Sequence, residues 1–132
     1  YMDTWKPEVE ALADIFKMYT DDYKKQYSQF MFPPKYGIEP FKMKKYEANG
    51  IDEFGYHVDV NSTGSMNRWL AFFCYLSDNE GGETEFQYQN EVTHCKKGTM
   101  VIFPPMWPWL HYGNFAVETP KYMVGSYLHY VD

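Results

Sequence analysis

The chain has 132 residues, a length that suits a single domain and leaves little room for a second core. Hydrophobic residues make up 45% and aromatics 20%, so the composition gives no case for disorder. The net charge is -6, with the basic residues scattered rather than gathered into a stripe, which argues against nucleic-acid binding through phosphate neutralisation. No run approaches the ~20 apolar residues of a membrane span, and no charged-then-apolar leader opens the sequence, so a soluble, cytoplasmic protein is the expectation. Cys74 and Cys95 lack CxxC spacing and read as core packing.

From Lys6 to Lys25, apolar residues Val9, Leu12, Ile15, Phe16 and Tyr19 recur at spacings of three and four, which predicts an amphipathic helix over 6–25. Thr4, with Pro7 just after it, offers a start for that helix. The next stretch, SQFMFPPKYGIEPF, carries three prolines and a glycine and reads as a connection.

From Phe41 onward short β-like runs alternate with turn signals, and strands are expected near 41–47, 54–60, 68–76, 84–88, 91–95, 99–103, 109–113 and 121–130. The turns between them have their own chemistry, for example Asn49-Gly50, Lys97-Gly98 and Gly113-Asn114. Eight strands after one helix predict a mainly β fold, a double-stranded β-helix or jelly roll over 41–130, within one domain spanning 1–132.

His57 and Asp59, in FGYHVDV, are two apart on a predicted strand, so both side chains leave the same face and can grip one ion. An HxD pair by itself also describes a surface strand that ends in polar residues. His111, in PPMWPWLHYGN, lies at another predicted strand, and a jelly roll can bring the two strands together. Two imidazoles and one carboxylate form the facial triad of non-haem ferrous oxygenases, which leaves positions open for a bidentate cosubstrate and O2. His94 and His129 lack a carboxylate at strand spacing and read as structural or surface residues. Lys121 opens the last strand, where an ammonium group can receive the far end of a dicarboxylate.

These residues resemble the prolyl 4-hydroxylase-like group of 2-oxoglutarate and Fe(II)-dependent oxygenases. The likeness runs through YHVD, RWLAFFCYLSDNEGGETEF, KKGTMVIFPP, LHYGN and PKYMVGSYLHY in the family's order, from about Tyr46 to Tyr130. It implies that His57, Asp59 and His111 bind Fe(II), and that Lys121 pairs with the distal carboxylate of 2-oxoglutarate. By the same resemblance Tyr75 helps hold that carboxylate through its phenol, Tyr46 lines the pocket near the cosubstrate, and Arg68 matches a family arginine. The Gly81–Thr84 segment is similar to the family's GGET turn, while Gly125 stands where the family often has a larger residue.

The activity implied is hydroxylation of a prolyl or related residue in a peptide or protein. It consumes 2-oxoglutarate and O2, yields succinate and CO2, and admits ascorbate as an accessory. A free amino acid or other small molecule is the alternative substrate. A jelly-roll module of cupin-like type that binds a ligand without turnover is the alternative class. Trp107 and Trp109 flank His111, either as a substrate wall or as a cap on the barrel.

Overall fold

A computed structural model of the chain describes residues 3–27 and 31–132, and divides it into two compact units, 1–35 and 36–132. The first holds helix α1, Lys6–Gln26, one residue longer than its periodicity predicts. Pro7 sits in its first turn, where a missing N–H costs nothing, and Lys24 and Lys25 sit in its last turn, where the helix dipole favours cations. The Thr4 start is not used: Trp5 occupies the N-cap position and no side chain caps the helix.

The predicted apolar stripe is only partly hidden. Phe16 is buried, whereas Val9, Ile15 and Tyr19 are exposed and Thr20 is buried in their stead. The connection expected after the helix begins at Ser28, and its first three residues lie outside the described residues.

The second unit contains β1 (Tyr36–Ile38), β2 (Lys42–Tyr46), β3 (Phe54–His57), β4 (Arg68–Tyr75), β5 (Glu80–Gly81), β6 (Thr84–Phe86), β7 (Glu91–Thr93), β8 (Met100–Phe103), β9 (His111–Gly113), β10 (Ala116–Val117) and β11 (Lys121–Tyr130). One antiparallel sheet runs β1-β11-β4-β8, with β2 also paired to β11, and a second runs β3-β9-β6-β7. The long β11 thus carries β2 along its first half, β1 along its second half and β4 on its other edge. These two sheets form the expected mainly β jelly roll.

Three strands exceed the sequence reading. β1 is a three-residue strand set between prolines, and β5 and β10 form a two-residue ladder in stretches between predicted strands. The segment expected as strand from residue 109 begins instead as a 3-10 turn, Trp107–Trp109, because Pro108 cannot donate to a ladder.

The core lies between the sheets. Ala71, Phe73 and Tyr75 alternate along β4 and meet Val101 and Phe103 of β8 and Phe86 of β6, with Phe73–Phe103 and Phe86–Phe103 packed edge to face. Buried Cys95 joins this cluster, and both cysteines are free thiols. Trp109 packs against the cluster while Trp107 is exposed, so the two tryptophans divide the roles of cap and surface.

Gly125 is explained by close approach. A Cβ there would come within 2.6 Å of the Phe72 carbonyl oxygen and 2.8 Å of the Phe73 Cβ, so β11 and β4 leave no space for one. Gly125→Ala is therefore expected to destabilise the fold by about 1–3 kcal/mol through overpacking, as read from the midpoint of denaturant unfolding.

Candidate metal centre

β3 and β9 are antiparallel neighbours in which His57 directly faces His111, and this register brings the two imidazoles together, tilted by 60°, with centroids 4.2 Å apart. Each ring is fixed from behind. His57 Nδ1 lies 2.7 Å from the Gly55 carbonyl oxygen, and His111 Nδ1 lies 2.8 Å from that of Trp109. A carbonyl only accepts, so both Nδ1 atoms carry the proton, and both Nε2 atoms present a lone pair. That arrangement suits metal-ligating histidines, whose orientation comes from a backbone or carboxylate partner.

Asp59 does not lie on the strand as predicted: β3 ends at His57 and Asp59 follows it on a bend. Its backbone is tied to another segment instead, with the Asp59 and Val60 N–H groups both donating to the Pro105 carbonyl. The carboxylate then spans the two rings, Oδ1 at 3.6 Å from His57 Nε2 and Oδ2 at 3.7 Å from His111 Nε2. One ligand atom from each of the three residues lies within 4.8 Å of the others.

The donor set fits a cation. With each Nδ1 turned to a backbone carbonyl, two imidazole Nε2 atoms and a carboxylate converge on one point, a grouping that a positive ion among them would satisfy. Two nitrogens and one oxygen from three side chains is the composition that non-haem Fe(II) takes.

Burial pushes the Asp59 carboxyl up, but His57, His111 and Tyr127 outweigh it and hold it below its ordinary range. Burial lowers the His111 imidazole below its usual 6.5, opposed by the Trp109 carbonyl and by Asp59. In the metal-free protein the unfolded chain thus takes up the His111 proton before the folded one does. Stability is therefore expected to fall as the pH drops through 6.5 and to level off below the lowered folded value. Urea unfolding of metal-free protein between about pH 8 and pH 5 measures this, and His111→Leu should flatten that part of the profile.

A cavity of about 180 Å³ opens from the triad and is lined by Tyr46, Thr84, Phe103, Lys121 and Met123 among others. Lys121 opens β11 at only 2% exposure. Its Nζ donates to the Gly82 carbonyl at 3.1 Å and lies 4.5 Å from the centroid of the Tyr46 ring. Gly82 has φ +71°, and a Cβ on it would come within 2.9 Å of the lysine's Cδ, so glycine there permits both the turn and the approach of the lysine. An ammonium has three donors, and among the described residues no carboxylate lies within ion-pair distance of this one. Burial lowers its proton affinity, while Cys95 and Glu83 oppose the shift. A buried cation without an anion is costly, and a ligand carboxylate would complete it.

The structure brings His57, Asp59, His111, Lys121 and Tyr46 to one cavity, but not Tyr75. The Tyr75 side chain is fully buried, and its hydroxyl is taken up by Thr84 and Thr93: it accepts from the Thr84 N–H at 3.2 Å and lies 2.9 Å from each threonine hydroxyl. In this arrangement the phenol that the resemblance assigns to a cosubstrate carboxylate is engaged by the two threonines. Its partner Thr84 lines the cavity in its place.

Of the cavity residues that escaped the sequence reading, Lys42, Lys44 and Tyr127 bear most on its charge and on the triad. Lys42 and Lys44 alternate with Tyr46 along β2 and so share its cavity face, and the Lys44 Nζ lies 4.8 Å from the Phe54 ring centroid. Strand alternation applied to Tyr46 would have found both. Tyr127, at alternate positions from Lys121 along β11, donates its hydroxyl to Asp59 Oδ1 at 2.8 Å. Burial, and then the Asp59 charge, raise the Tyr127 phenol above its ordinary value, so it stays protonated as a donor.

Comparison with known proteins gives the family and the fold. The sequence pattern of the 2OG-Fe(II) oxygenase superfamily matches residues 41–129, and the chain belongs to that superfamily. Its members require Fe(II), 2-oxoglutarate and O2. The fold is similar to that of a viral collagen prolyl hydroxylase from Paramecium Bursaria Chlorella virus-1, at 21% identity and TM-score 0.71, over 90% of this chain and 73% of that one. It is also similar to a Pseudomonas putida prolyl-4-hydroxylase, at 15% identity and TM-score 0.56, over 72% and 55% of the two chains. A third likeness is to a Trichoplax adhaerens prolyl hydroxylase in complex with a hypoxia inducible factor peptide, at 17% identity and TM-score 0.57, over 73% and 47%. No curated protein sequence matches the chain. Among the described residues no helix is long and apolar enough to cross a membrane.

Proposed function

We propose that the chain hydroxylates a prolyl or related residue of a peptide or protein, consuming 2-oxoglutarate and O2 and releasing succinate and CO2. One observation carries the chemistry: three converging ligand atoms and a buried lysine without a carboxylate partner among the described residues share a single cavity. The peptide part of the reading is supported by the fold neighbours, which include prolyl hydroxylases and one bound to a peptide.

In this reading His57, Asp59 and His111 hold the ion, which with 2-oxoglutarate and O2 supplies the oxidising chemistry. Lys121, with one donor on the Gly82 carbonyl, would hold the far carboxylate of the cosubstrate with the other two and so orient its keto acid end. Tyr46 walls the same end of the cavity, and Phe103, packed edge to face on His111 at 4.9 Å, keeps bulk water from the ring. The triad and Lys121 bind and orient, and no side chain of the cavity need act as acid or base. Anaerobic addition of Fe(II) and 2-oxoglutarate should produce a weak visible charge-transfer band. Admission of O2 with proline-containing peptides should then give products heavier by one oxygen atom in mass spectrometry. Absence of the band from folded protein would favour the binding module without turnover.

A second reading, hydroxylation of a free amino acid or another small acid, is favoured by Lys42 and Lys44. The cavity lining carries Lys42, Lys44, Arg68 and Lys121 against the two carboxylates of Glu39 and Asp59. A divalent ion and a dianionic cosubstrate cancel, which leaves two positive charges for a substrate carboxylate. Parallel turnover assays separate the readings: inert peptides beside a hydroxylated amino acid would decide for the second.

A further inference from the structure

We propose that Tyr127 is a positioning residue for the metal centre: held by Arg68 and Glu39, it fixes the Asp59 carboxylate and so sets the affinity of the site for its divalent ion. This rests on His57, Asp59 and His111 being the ligands.

The three ligands are not supported alike. His57 and His111 face each other on a β ladder, and each ring is pinned by a carbonyl two residues earlier in the chain. Asp59 stands beyond the end of β3 and lacks ladder partners of its own. Its support is borrowed from three other places: the Pro105 carbonyl takes its N–H at 3.1 Å, Arg68 Nη1 reaches its carbonyl at 3.4 Å, and the Tyr127 hydroxyl takes Oδ1 at 2.8 Å. Of these, only Tyr127 acts on the carboxylate itself.

Tyr127 is in turn clamped. The Arg68 guanidinium lies 3.9 Å from the centroid of its ring, close enough for a cation–π contact. Arg68 is fixed by a two-point pair with Glu39, Nε to Oε1 at 2.7 Å and Nη2 to Oε2 at 2.9 Å. Glu39 is tied back to β11 by its N–H donating to the Tyr127 carbonyl at 3.0 Å, and by its own carbonyl accepting from Ser126 Oγ at 2.6 Å. The path from Tyr127 through Arg68 and Glu39 therefore closes on Tyr127's own backbone.

A planar phenol gripped on its face and at its backbone has little freedom, so its hydroxyl holds Oδ1 at a fixed point. A carboxylate with one oxygen committed to a donor offers a metal ion the other, which opposes chelation by both and keeps coordination positions open.

Co(II) titration of the full chain, followed by its visible bands, tests this. Tyr127→Phe removes the hydroxyl and keeps the ring under Arg68. The Kd for Co(II) should rise about 10- to 100-fold, the range in which partners of metal ligands act, and the band positions should shift. Glu39→Gln should raise it less, in the same direction. The affinity of metal-saturated protein for 2-oxoglutarate should stay constant, which a general loosening of the barrel would not allow. An unchanged Co(II) Kd in folded Tyr127→Phe, or a loss confined to 2-oxoglutarate, overturns the proposal. If Tyr127→Phe does not fold, an unchanged Kd in Glu39→Gln overturns it. A wild-type chain that fails to bind Co(II) overturns the metal-centre reading instead.

Discussion

Asp59→Ala is expected to abolish Fe(II)-dependent consumption of 2-oxoglutarate and to weaken divalent-metal binding by more than ~100-fold, because loss of a partner behind a ligand already costs up to that much. The carboxylate is the one anionic member of the triad. Without it the two Nε2 lone pairs face a cation with no charge to offset it. The fold should survive, since Asp59 lies beyond the end of β3 and contributes its N–H and carbonyl, which alanine retains, to the Pro105 and Arg68 contacts. The Tyr127 hydroxyl loses its acceptor, so a destabilisation of about 1–3 kcal/mol is expected beside the lost activity. Succinate assays and Co(II) titration on the same sample check both parts. Persistent metal-dependent succinate formation in Asp59→Ala would require another carboxylate ligand.

Lys121→Met should raise the 2-oxoglutarate requirement about 10- to 150-fold while leaving metal affinity near that of the wild type. A hydrogen-bonded charge contributes roughly 1.5–3 kcal/mol, and each 1.4 kcal/mol is tenfold in binding. Methionine keeps the length and apolar stem of lysine, so the space beside Gly82 and Gly113 stays filled. Two changes in the ligand-free protein oppose each other: the cost of a dehydrated ammonium disappears, and the Gly82 carbonyl loses its donor. The thermal midpoint should accordingly move little. A variant with an unchanged 2-oxoglutarate requirement would move the carboxylate anchor elsewhere, with Lys44 the next cation in the cavity.

Much of the candidate site was legible before the fold was known. His57, Asp59, His111 and Lys121 sit in ordered motifs whose likeness to a family is specific, and Tyr46 follows from the same likeness. The surroundings of Tyr75 are what no motif carries: its hydroxyl faces Thr84 and Thr93, residues that only the β6–β7 pairing places together. Helix α1 shows the same limit in another form. Its period of three and four was correct, but Val9, Ile15 and Tyr19 are exposed, since periodicity assigns a face and not what covers it.

What the sequence determined by itself was the kind of ligand atom and the rough place of the longer strands along the chain, because residue type fixes donor chemistry and turn residues punctuate a chain locally. What the tertiary structure decided was every relation between distant segments: that Asp59 leaves its strand and leans on Pro105, that the Tyr127 hydroxyl reaches it, and that Lys121 is buried without an anion. Such contacts join residues from different strands of the barrel, and their geometry comes from how the sheets close on one another, which no local pattern of amino acids encodes.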